Sequence, residues 1–396
     1  MRKVFIVFLV SLFCAATYGK SLSSIVDSAL KFSEQQSILM AKKYAGQDSI
    51  LPRSFENGKN TTSDSRWWCS GFFPGTLWYL YESNKNPEVL KYAKLYTDRV
   101  EREKYTTDNH DVGFMLYCSF GNGFRLTGDE HYREVLLTGA KSLSTRFNPK
   151  VGLIRSWDHN KKKWQYPVVI DNMMNLELLL WATENSGDLK FRNIALSHAD
   201  KTMTHHYRPD YSSFHLVSYD TITGLPHLKQ THQGFSNESA WSRGQAWGLY
   251  GYTYLYRITK DKRYLAQAKN IAGFLLNHPL MPKDYIPYWD FDSPEIPNTK
   301  RDASAACVIA SALVELSDYV DAKLGKKYMK VVGTQIRTLA SPEYTANLGE
   351  NGCFILKHSV GAYPFKSEVD VPLTYADYYY LEALTRLKRK MIVGRI

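Results

Sequence analysis

A short turn that ends in a helix cap recurs along this sequence, and it constrains the fold more than any other feature. Clear copies begin at Thr127, Ser186 and Thr259, and weaker ones begin at Asn86 and Gly325. Each clear copy places an aspartate directly before an amphipathic segment, which is the pattern of a helix N-cap. A spacing of about 42 to 73 residues between copies predicts an array of helical hairpins.

Segments rich in glycine and aromatic residues lie between these amphipathic segments, and they predict helices that are buried on most sides. With a first helix near Ser24–Lys43, six amphipathic helices alternate with six buried ones. The buried helices are predicted at Gly71–Glu82, Asp111–Leu126, Asn172–Asn185, Ser236–Arg257, Asp302–Leu316 and Pro372–Arg386. Six such hairpins predict an all-α fold, a single-domain (α/α)6 barrel whose inner ring is formed by the buried helices. Strand signals are few, at Val151–Trp157 and Phe214–Tyr219.

Residues 1–19 have the pattern of a secretory signal peptide, so residues 20–396 are expected to form the barrel domain. Arg2 and Lys3 precede an apolar run, Val4–Ala16, which is too short to span a bilayer. This predicts export across the inner membrane to the periplasm, without a membrane span. Losing Arg2 and Lys3 changes the formal net charge from +11 to +9.

The remaining basic charge forms no Lys/Arg block of the kind that marks a nucleic-acid footprint, so we expect an anionic small substrate instead. No CxxC or His/Cys spacing indicates a metal site, and no cofactor is expected. Tyr and Trp are abundant, with 28 and 9 residues, which is typical of sugar-binding surfaces and equally of an aromatic core. The sequence gives no basis for an oligomeric state.

The long connections all precede predicted inner helices, so they are expected to gather at one mouth of the barrel. They span residues 44–70, 147–170, 207–235, 279–301 and 341–371. Long loops on one face are where a site is expected. Asp171 follows the apolar run Val168–Ile170 and begins a buried helix, so it is an N-cap, a catalytic acid, or both. Asp111 begins another buried helix and has the same two interpretations.

Further candidates fall at the same mouth, and each has a structural alternative. They are Trp68, Phe72, His110, Tyr166, His215, Gln233, Trp241, Arg243 and Trp247. His215 is also compatible with a satisfied core histidine, and the tryptophans with ordinary core. Arg243 lies in a buried helix and needs a carboxylate, because an unpaired internal guanidinium is costly. Glu238 is five residues away, off the i+4 spacing, so a ligand carboxylate is the favoured partner.

Taken together, these residues resemble the signature of the unsaturated glucuronyl hydrolases, glycoside hydrolase family 88. The signature comprises Trp68-x-x-Gly71-Phe72, His110-Asp111, Tyr166 through Asp171, His215, Gln233 and Trp241-x-Arg243-x-x-x-Trp247. The resemblance extends from about Trp67 to Leu387. It implies an (α/α)6 barrel that uses no metal and hydrolyses anionic, lyase-generated glycosaminoglycan oligosaccharides. Such oligosaccharides end in a 4,5-unsaturated uronic acid, which these enzymes release by hydrating the C4=C5 enol ether.

The resemblance also implies roles for the candidate residues. Asp171 is the implied general acid that protonates C4, with hydroxide adding at C5 and the resulting hemiketal opening to release the next sugar. Asp111 is expected to carry the like charge that raises the pKa of Asp171, and to bind sugar hydroxyls. His215 and Gln233 would hold water and substrate. The expected walls are Trp68, Phe72, Tyr166, Trp241 and Trp247, with Arg243 binding the uronate carboxylate.

Three other functions stay open at this point. A family 105 unsaturated rhamnogalacturonyl hydrolase shares the barrel and chemistry but acts on pectin fragments. A uronate-binding protein without catalysis would lack turnover, and an inverting glycosidase with two carboxylates would accept saturated substrates. Lys357, His358 and Lys366 also concentrate positive charge before the last inner helix, which fits either a solvated loop or tolerance of sulfate.

Overall fold

The computed structural model describes residues 19–394, so residues 1–18 of the predicted signal peptide lie outside the described part. The helices are α1 (Leu22–Tyr44), α2 (Phe72–Asn84), α3 (Pro87–Asp98), α4 (Val112–Leu116), α5 (Asn122–Thr127), α6 (Glu130–Ser144), α7 (Asn172–Ser186), α8 (Leu189–His205), α9 (Ser242–Thr259), α10 (Lys262–Asn277), α11 (Ala303–Leu316), α12 (Ala322–Leu339) and α13 (Thr374–Ile392). A π-helical turn, Tyr117–Gly121, joins α4 to α5 into one inner helix. None of the helices described is long and apolar enough to cross a membrane.

These helices form two concentric rings, which confirms the predicted (α/α)6 barrel. Neighbouring inner helices pack together in the order α2, α4–α5, α7, α9, α11 and α13, and α13 packs against α2 to close the ring. The inner helices are buried on nearly every side; in α11, Glu315 alone is not fully buried. The outer helices bury one face against the inner ring, as their amphipathic sequences predict.

The recurrent turn works as the sequence analysis expects. Asp129, Asp188 and Asp261 each occupy the N-cap of an outer helix, and each side chain accepts a hydrogen bond from the main-chain N–H two residues later. Such a cap contributes about 1 kcal/mol to helix stability. Each copy therefore fixes where an outer helix begins and so sets the order of the hairpins.

Short antiparallel strands occupy the loops at one mouth. They are β1 (Leu51–Glu56), β2 (Lys59–Ser63), β3 (Phe147–Asn148), β4 (Leu153–Ile154), β5 (Pro167–Val169), β6 (Leu216–Tyr219), β7 (Pro226–Gln230), β8 (Ser359–Ala362) and β9 (Ser367–Val371). The two predicted strands are thus shorter than expected, reduced to β4 and β6. The sheet β5-β6-β7 joins the loop before α7 to the loop before α9, with Ile170 N–H donating to the carbonyl of His215 at 2.9 Å.

One predicted boundary is wrong, because α9 begins at Ser242 and not at Ser236. The intervening residues bond instead to the loop before α11: Asp290 accepts from Phe235 N–H and Ser239 Oγ, and Asp292 accepts from Ala240 N–H. These side chains lie some fifty residues downstream. Tertiary partners therefore override the local helical pattern.

The π-helical turn interrupts the inner helix that begins after Asp111. Its looser winding changes the backbone hydrogen-bond pattern, and nearby side chains satisfy the affected carbonyls. Ser119 Oγ donates to the carbonyl of Met115 at 2.6 Å, and the side-chain amide of Asn122 donates to that of Cys118 at 3.0 Å.

Candidate active site

Two aspartates occupy N-cap positions in the inner ring without acting as caps. Asp111 precedes α4 and Asp171 precedes α7, and neither side chain makes a capping hydrogen bond. The N-cap aspartate of α11, Asp302, does accept from Ser304 N–H. Both side chains are largely buried, with exposed fractions of 17% for Asp111 and 18% for Asp171. The interpretation of these side chains as helix caps is therefore wrong, because neither carboxyl bonds to the end of its helix.

Burial raises the pKa of both carboxyls into the neutral range. The pKa of Asp171 rises to about 7 through desolvation, which outweighs the opposing charge of Arg243. The pKa of Asp111 rises to about 8, through desolvation and then through the nearby charge of Asp171. The sequence predicts that a like charge on Asp111 raises the pKa of Asp171. The structure shows that the two carboxyls are coupled, since the charge of Asp171 raises the pKa of Asp111, but burial is the main cause for Asp171 itself.

His215 faces Asp171 as a neutral hydrogen-bond donor. Its Nδ1 accepts from the main-chain N–H groups of His232 and Gln233, both at 2.9 Å, which places the ring proton on Nε2. Nε2 lies 3.9 Å from Oδ1 of Asp171, and neither atom has a hydrogen-bond partner within residues 19–394. Burial lowers the pKa of His215 well below its usual value. A substrate atom or a water between these two groups would satisfy both.

A matching arrangement holds His110 beside Asp111. Asn175, one turn along α7 from Asp171, points its side-chain amide at Nδ1 of His110, 3.5 Å away. This leaves Nε2 of His110 facing Oδ1 of Asp111, also at 3.5 Å. The Oδ1 atom of Asn175 accepts from Phe114 N–H at 2.8 Å, so the same side chain locks α4 to α7. The two carboxyl-bearing helix ends are thereby held in fixed relation.

Arg243 has a protein partner, which corrects the expectation of a ligand carboxylate. Its guanidinium forms a fully buried ion pair with Asp302 at 3.0 Å. It also donates to the carbonyls of Val360 and Gly361 in β8. The side-chain amide of Gln233 donates to Gly361 as well, at 3.2 Å. Arg243 and Gln233 therefore fasten the β8–β9 hairpin over the mouth.

A cluster of aromatic rings packs around Phe114 of α4. Trp68 packs against Tyr375 and Phe114, with ring centroids 4.9 and 5.6 Å apart. Phe72 and Trp247 are wholly buried and also contact Phe114. The expected walls Phe72 and Trp247 are thus a second layer, and Trp68 is the partly exposed ring. Sequence reasoning missed Tyr375 because it lies inside a continuous helical pattern.

Of the other two predicted walls, Trp241 borders the site and Tyr166 does not. Trp241 packs against the imidazole of His215, with ring centroids 4.7 Å apart, so it supports the site. Tyr166 is wrong as a wall: its hydroxyl is buried and donates toward the carbonyls of Arg146 and Leu153. Its ring belongs to a separate apolar cluster beneath the β5-β6-β7 sheet.

A further aromatic group lines the mouth, and sequence reasoning missed it. Trp157 lies 6.5 Å from His110 and 5.4 Å from His232, between ring centroids. His232 in turn contacts the exposed ring of Phe365 at 4.8 Å. These residues lie in long connections without periodicity, so no spacing marked them. The mouth therefore has an aromatic wall on the side of His110.

Two of the three positive groups expected before α13 are bonded to other parts of the chain. His358 bonds to Asp370 at 2.6 Å, and Lys357 donates to the carbonyl of Pro342. Lys366 alone of the three is exposed at the tip of the β8–β9 hairpin. Within residues 19–394, no group of three or more His, Cys, Asp or Glu side chains is placed to hold a metal ion.

The chain is similar to known proteins over nearly its whole length. The family model described as Glycosyl Hydrolase Family 88 matches residues 47–390. An unsaturated glucuronyl hydrolase of Formosa agariphila is 48% identical over 330 residues, which are 83% of this chain and 82% of that protein. A crystal structure of an unsaturated glucuronyl hydrolase specific for heparin superposes with a TM-score of 0.88 at 49% identity, covering 93% of this chain and 99% of that one.

A third relative has been solved with an oligosaccharide. The unsaturated glucuronyl hydrolase of Streptococcus agalactiae, with one aspartate replaced by asparagine and complexed with dGlcA-GalNAc6S, superposes with a TM-score of 0.78. The two chains are 29% identical, and the superposition covers 92% of this chain and 91% of the other. In a second structure of that enzyme, a different aspartate is replaced by asparagine. The two replaced aspartates are separated by the same number of residues as Asp111 and Asp171.

Proposed function

The chain belongs to glycoside hydrolase family 88, and we propose that it removes the 4,5-unsaturated uronic acid from the non-reducing end of glycosaminoglycan oligosaccharides. The observation that carries the proposal is the pair of uncapped, buried carboxyls at the ends of α4 and α7. A carboxylic acid that keeps its proton near neutral pH can protonate an enol ether, which a fully ionised aspartate cannot do. The matched spacing of the substituted aspartates in the Streptococcus agalactiae structures supports the same pair.

Asp171 is the proposed general acid. Its proton passes to C4 of the uronate ring as the C4=C5 double bond opens, and positive charge develops at C5 and the ring oxygen. A water molecule adds at C5, and its proton passes to the Asp171 carboxylate, which restores the acid. The product is a hemiketal at C5, which opens to a keto sugar and frees the neighbouring sugar. The overall step consumes one water and no net proton.

The other groups orient the substrate. A protonated Asp111 can donate one hydrogen bond and accept another, which suits a sugar hydroxyl. The Nε2–H of His215 points toward Asp171 and can donate to the attacking water or to a substrate oxygen. Trp68, which packs against Phe114 of α4, and Trp157, which lies beside His110, offer aromatic rings on which a sugar can stack. Arg243 acts through the β8–β9 hairpin that it fastens.

Heparin-derived unsaturated disaccharides are the proposed preferred substrates, since the heparin-specific enzyme covers 93% of this chain at 49% identity. The test is a panel of unsaturated disaccharides from heparin, chondroitin and hyaluronan, followed by loss of the double bond's ultraviolet absorbance. Wild-type protein should turn over the heparin members fastest, and in Asp171→Asn each rate should fall by a factor on the order of 10² to 10⁴. A saturated disaccharide is the matched control. Turnover of pectin-derived substrates alone would contradict the proposal.

Export to the periplasm is part of the proposal, supported by the leader pattern at residues 1–19. Lyases that generate unsaturated ends must act upstream, and their small products would meet the enzyme there. Fractionation of cells expressing the full chain tests this location. Recovery of the protein in the periplasmic fraction, shortened at its amino terminus, is the expected result; a full-length cytoplasmic protein would contradict it.

A further inference from the structure

Three consecutive lysines, Lys161–Lys163, project from the connection between β4 and β5 beside the mouth. All three are exposed, and none forms an ion pair with an acidic side chain in residues 19–394. The nearest acidic residue along the chain, Asp158, is already engaged by Arg146 and Arg155. The lysines therefore present uncompensated positive charge to solvent.

The turn that carries these lysines is held in a defined shape. The main-chain N–H groups of Lys163 and Trp164 both donate to the carbonyl of Asn160, at 2.9 and 3.0 Å. Asn160 has a φ of 55°, a left-handed conformation that asparagine tolerates better than most residues. Trp164 is 1% exposed, and its indole N–H donates to Gln230 of β7 at 2.7 Å. A ligand would therefore meet an ordered turn, which reduces the entropy lost on binding.

Aromatic contacts connect this turn to the proposed active site. His159 stacks on Trp157, with ring centroids 4.9 Å apart and planes within 12°. Trp157 also contacts His232 and faces His110, which adjoins Asp111. Lys163 lies over the ring of Trp164, with Nζ 4.5 Å from its centroid. A chain of sugars that leaves the carboxyls along Trp157 would reach the turn that carries Lys163, because the ring centroids of Trp157 and Trp164 are 5.8 Å apart.

We propose that Lys161–Lys163 bind the sulfate or carboxylate groups of the sugars beyond the cleaved bond, so that the enzyme favours polyanionic oligosaccharides. This inference rests on the proposed function and adds a recognition surface to it. Lys366 is also exposed, and it follows Phe365, whose ring contacts His232. Three unpaired charges in one turn provide an attraction that salt screens, since the Debye length is about 8 Å at physiological ionic strength.

The test compares two triple variants with equal loss of charge. In the first, Lys161→Gln, Lys162→Gln and Lys163→Gln are combined. In the matched control, Lys323→Gln, Lys326→Gln and Lys330→Gln are combined on α12, which belongs to the outer ring. On a sulfated unsaturated tetrasaccharide at low salt, the first variant should lose about tenfold in kcat/KM and the control less than twofold. This loss of kcat/KM should fade at high salt. For an unsulfated unsaturated disaccharide, the kcat/KM of the first variant should fall less than twofold.

A binding measurement separates this inference from the proposed reaction. Calorimetry with the same tetrasaccharide uses Asp171→Asn protein, with and without the three lysine substitutions. A roughly tenfold weaker affinity in the lysine variant supports the inference whatever the turnover results show. Equal affinities, or equal losses in the α12 control, overturn it. Failure of wild-type protein to consume any unsaturated substrate would instead contradict the proposed function alone.

Discussion

Replacing Asp171 with asparagine should slow turnover severely and, at the same time, stabilise the fold increasingly as the pH rises. Asn has nearly the same shape but cannot deliver a proton, so kcat should fall by a factor on the order of 10² to 10⁴. No capping hydrogen bond is lost, because the Asp171 side chain makes none. What the substitution removes is a carboxyl that the fold buries at a cost.

The magnitude follows from the pKa of Asp171, which is about 7 in the folded chain against an ordinary value of 3.8. Between these values the unfolded chain has released a proton that the folded chain keeps, so stability falls as the pH rises through this range. A shift of about 3 pH units corresponds to about 4 kcal/mol at pH 8 and about 2 kcal/mol at pH 5. Asparagine does not titrate and avoids this loss.

Thermal unfolding of wild-type and Asp171→Asn protein at pH 5 and pH 8 is the assay. With an unfolding entropy of about 2.1 cal/mol/K per residue, the variant should gain about 2 °C in Tm at pH 5 and about 5 °C at pH 8. Asp48→Asn, at an exposed aspartate, is the matched control and should show no pH-dependent gain. Loss of the double bond's ultraviolet absorbance measures turnover in the same samples.

Two results would refute this reasoning, each at a different step. An equal Tm gain at pH 5 and pH 8, or a lower Tm at pH 8, would mean that the fold does not disfavour the charged carboxylate. Wild-type turnover by Asp171→Asn would mean that another group donates the proton.

Three other substitutions test the remaining parts of the site. Asp111→Asn should raise KM and, because it removes a carboxyl coupled to Asp171, move the alkaline limb of the kcat–pH profile to lower pH; an unmoved limb would show that burial alone raises the pKa of Asp171. Arg243→Lys should lower stability by about 3 kcal/mol and raise KM, since it disrupts a buried ion pair and the hairpin it fastens; equal Tm values in thermal melts would contradict this. Asn175→Ala should lower stability by about 1–3 kcal/mol, because Phe114 N–H loses its buried acceptor, and should lower kcat with little change in KM; a change confined to KM would contradict its role in placing the carboxyls.

The sequence predicts most of the fold because the outer helices are specified locally. An aspartate at each recurrent turn and an amphipathic segment after it need no distant partner. The start of α9 shows the limit of this reasoning. Ser239 and Ala240 bond to Asp290 and Asp292, and no local pattern records such partners.

The residues of the candidate site likewise divide into those that the sequence predicts and those that it does not. Asp111 and Asp171 are predictable because a polar residue at the end of a buried helix is visible in the sequence. The partner of Arg243 is not, because Asp302 lies 59 residues away and meets it only when the barrel closes. Trp157 and His232 were missed because their connections lack periodicity, although both are aromatic residues in loops predicted to border the mouth.

The π-helical turn between α4 and α5 has a consequence for how insertions and deletions are tolerated here. A π turn is equivalent to one extra residue in an α-helix, so it rotates the two halves of this helix relative to each other by about 100°. Asp111 and Phe114 lie at the mouth, whereas Asn122 bonds to Tyr378 of α13 and Gly123 packs against Tyr132 of α6. Deleting a single residue from Tyr117–Gly121 would relax the turn into regular α-helix. One half would then face the wrong neighbours, so this short segment acts as a spacer whose length in residues, more than its chemistry, must be kept.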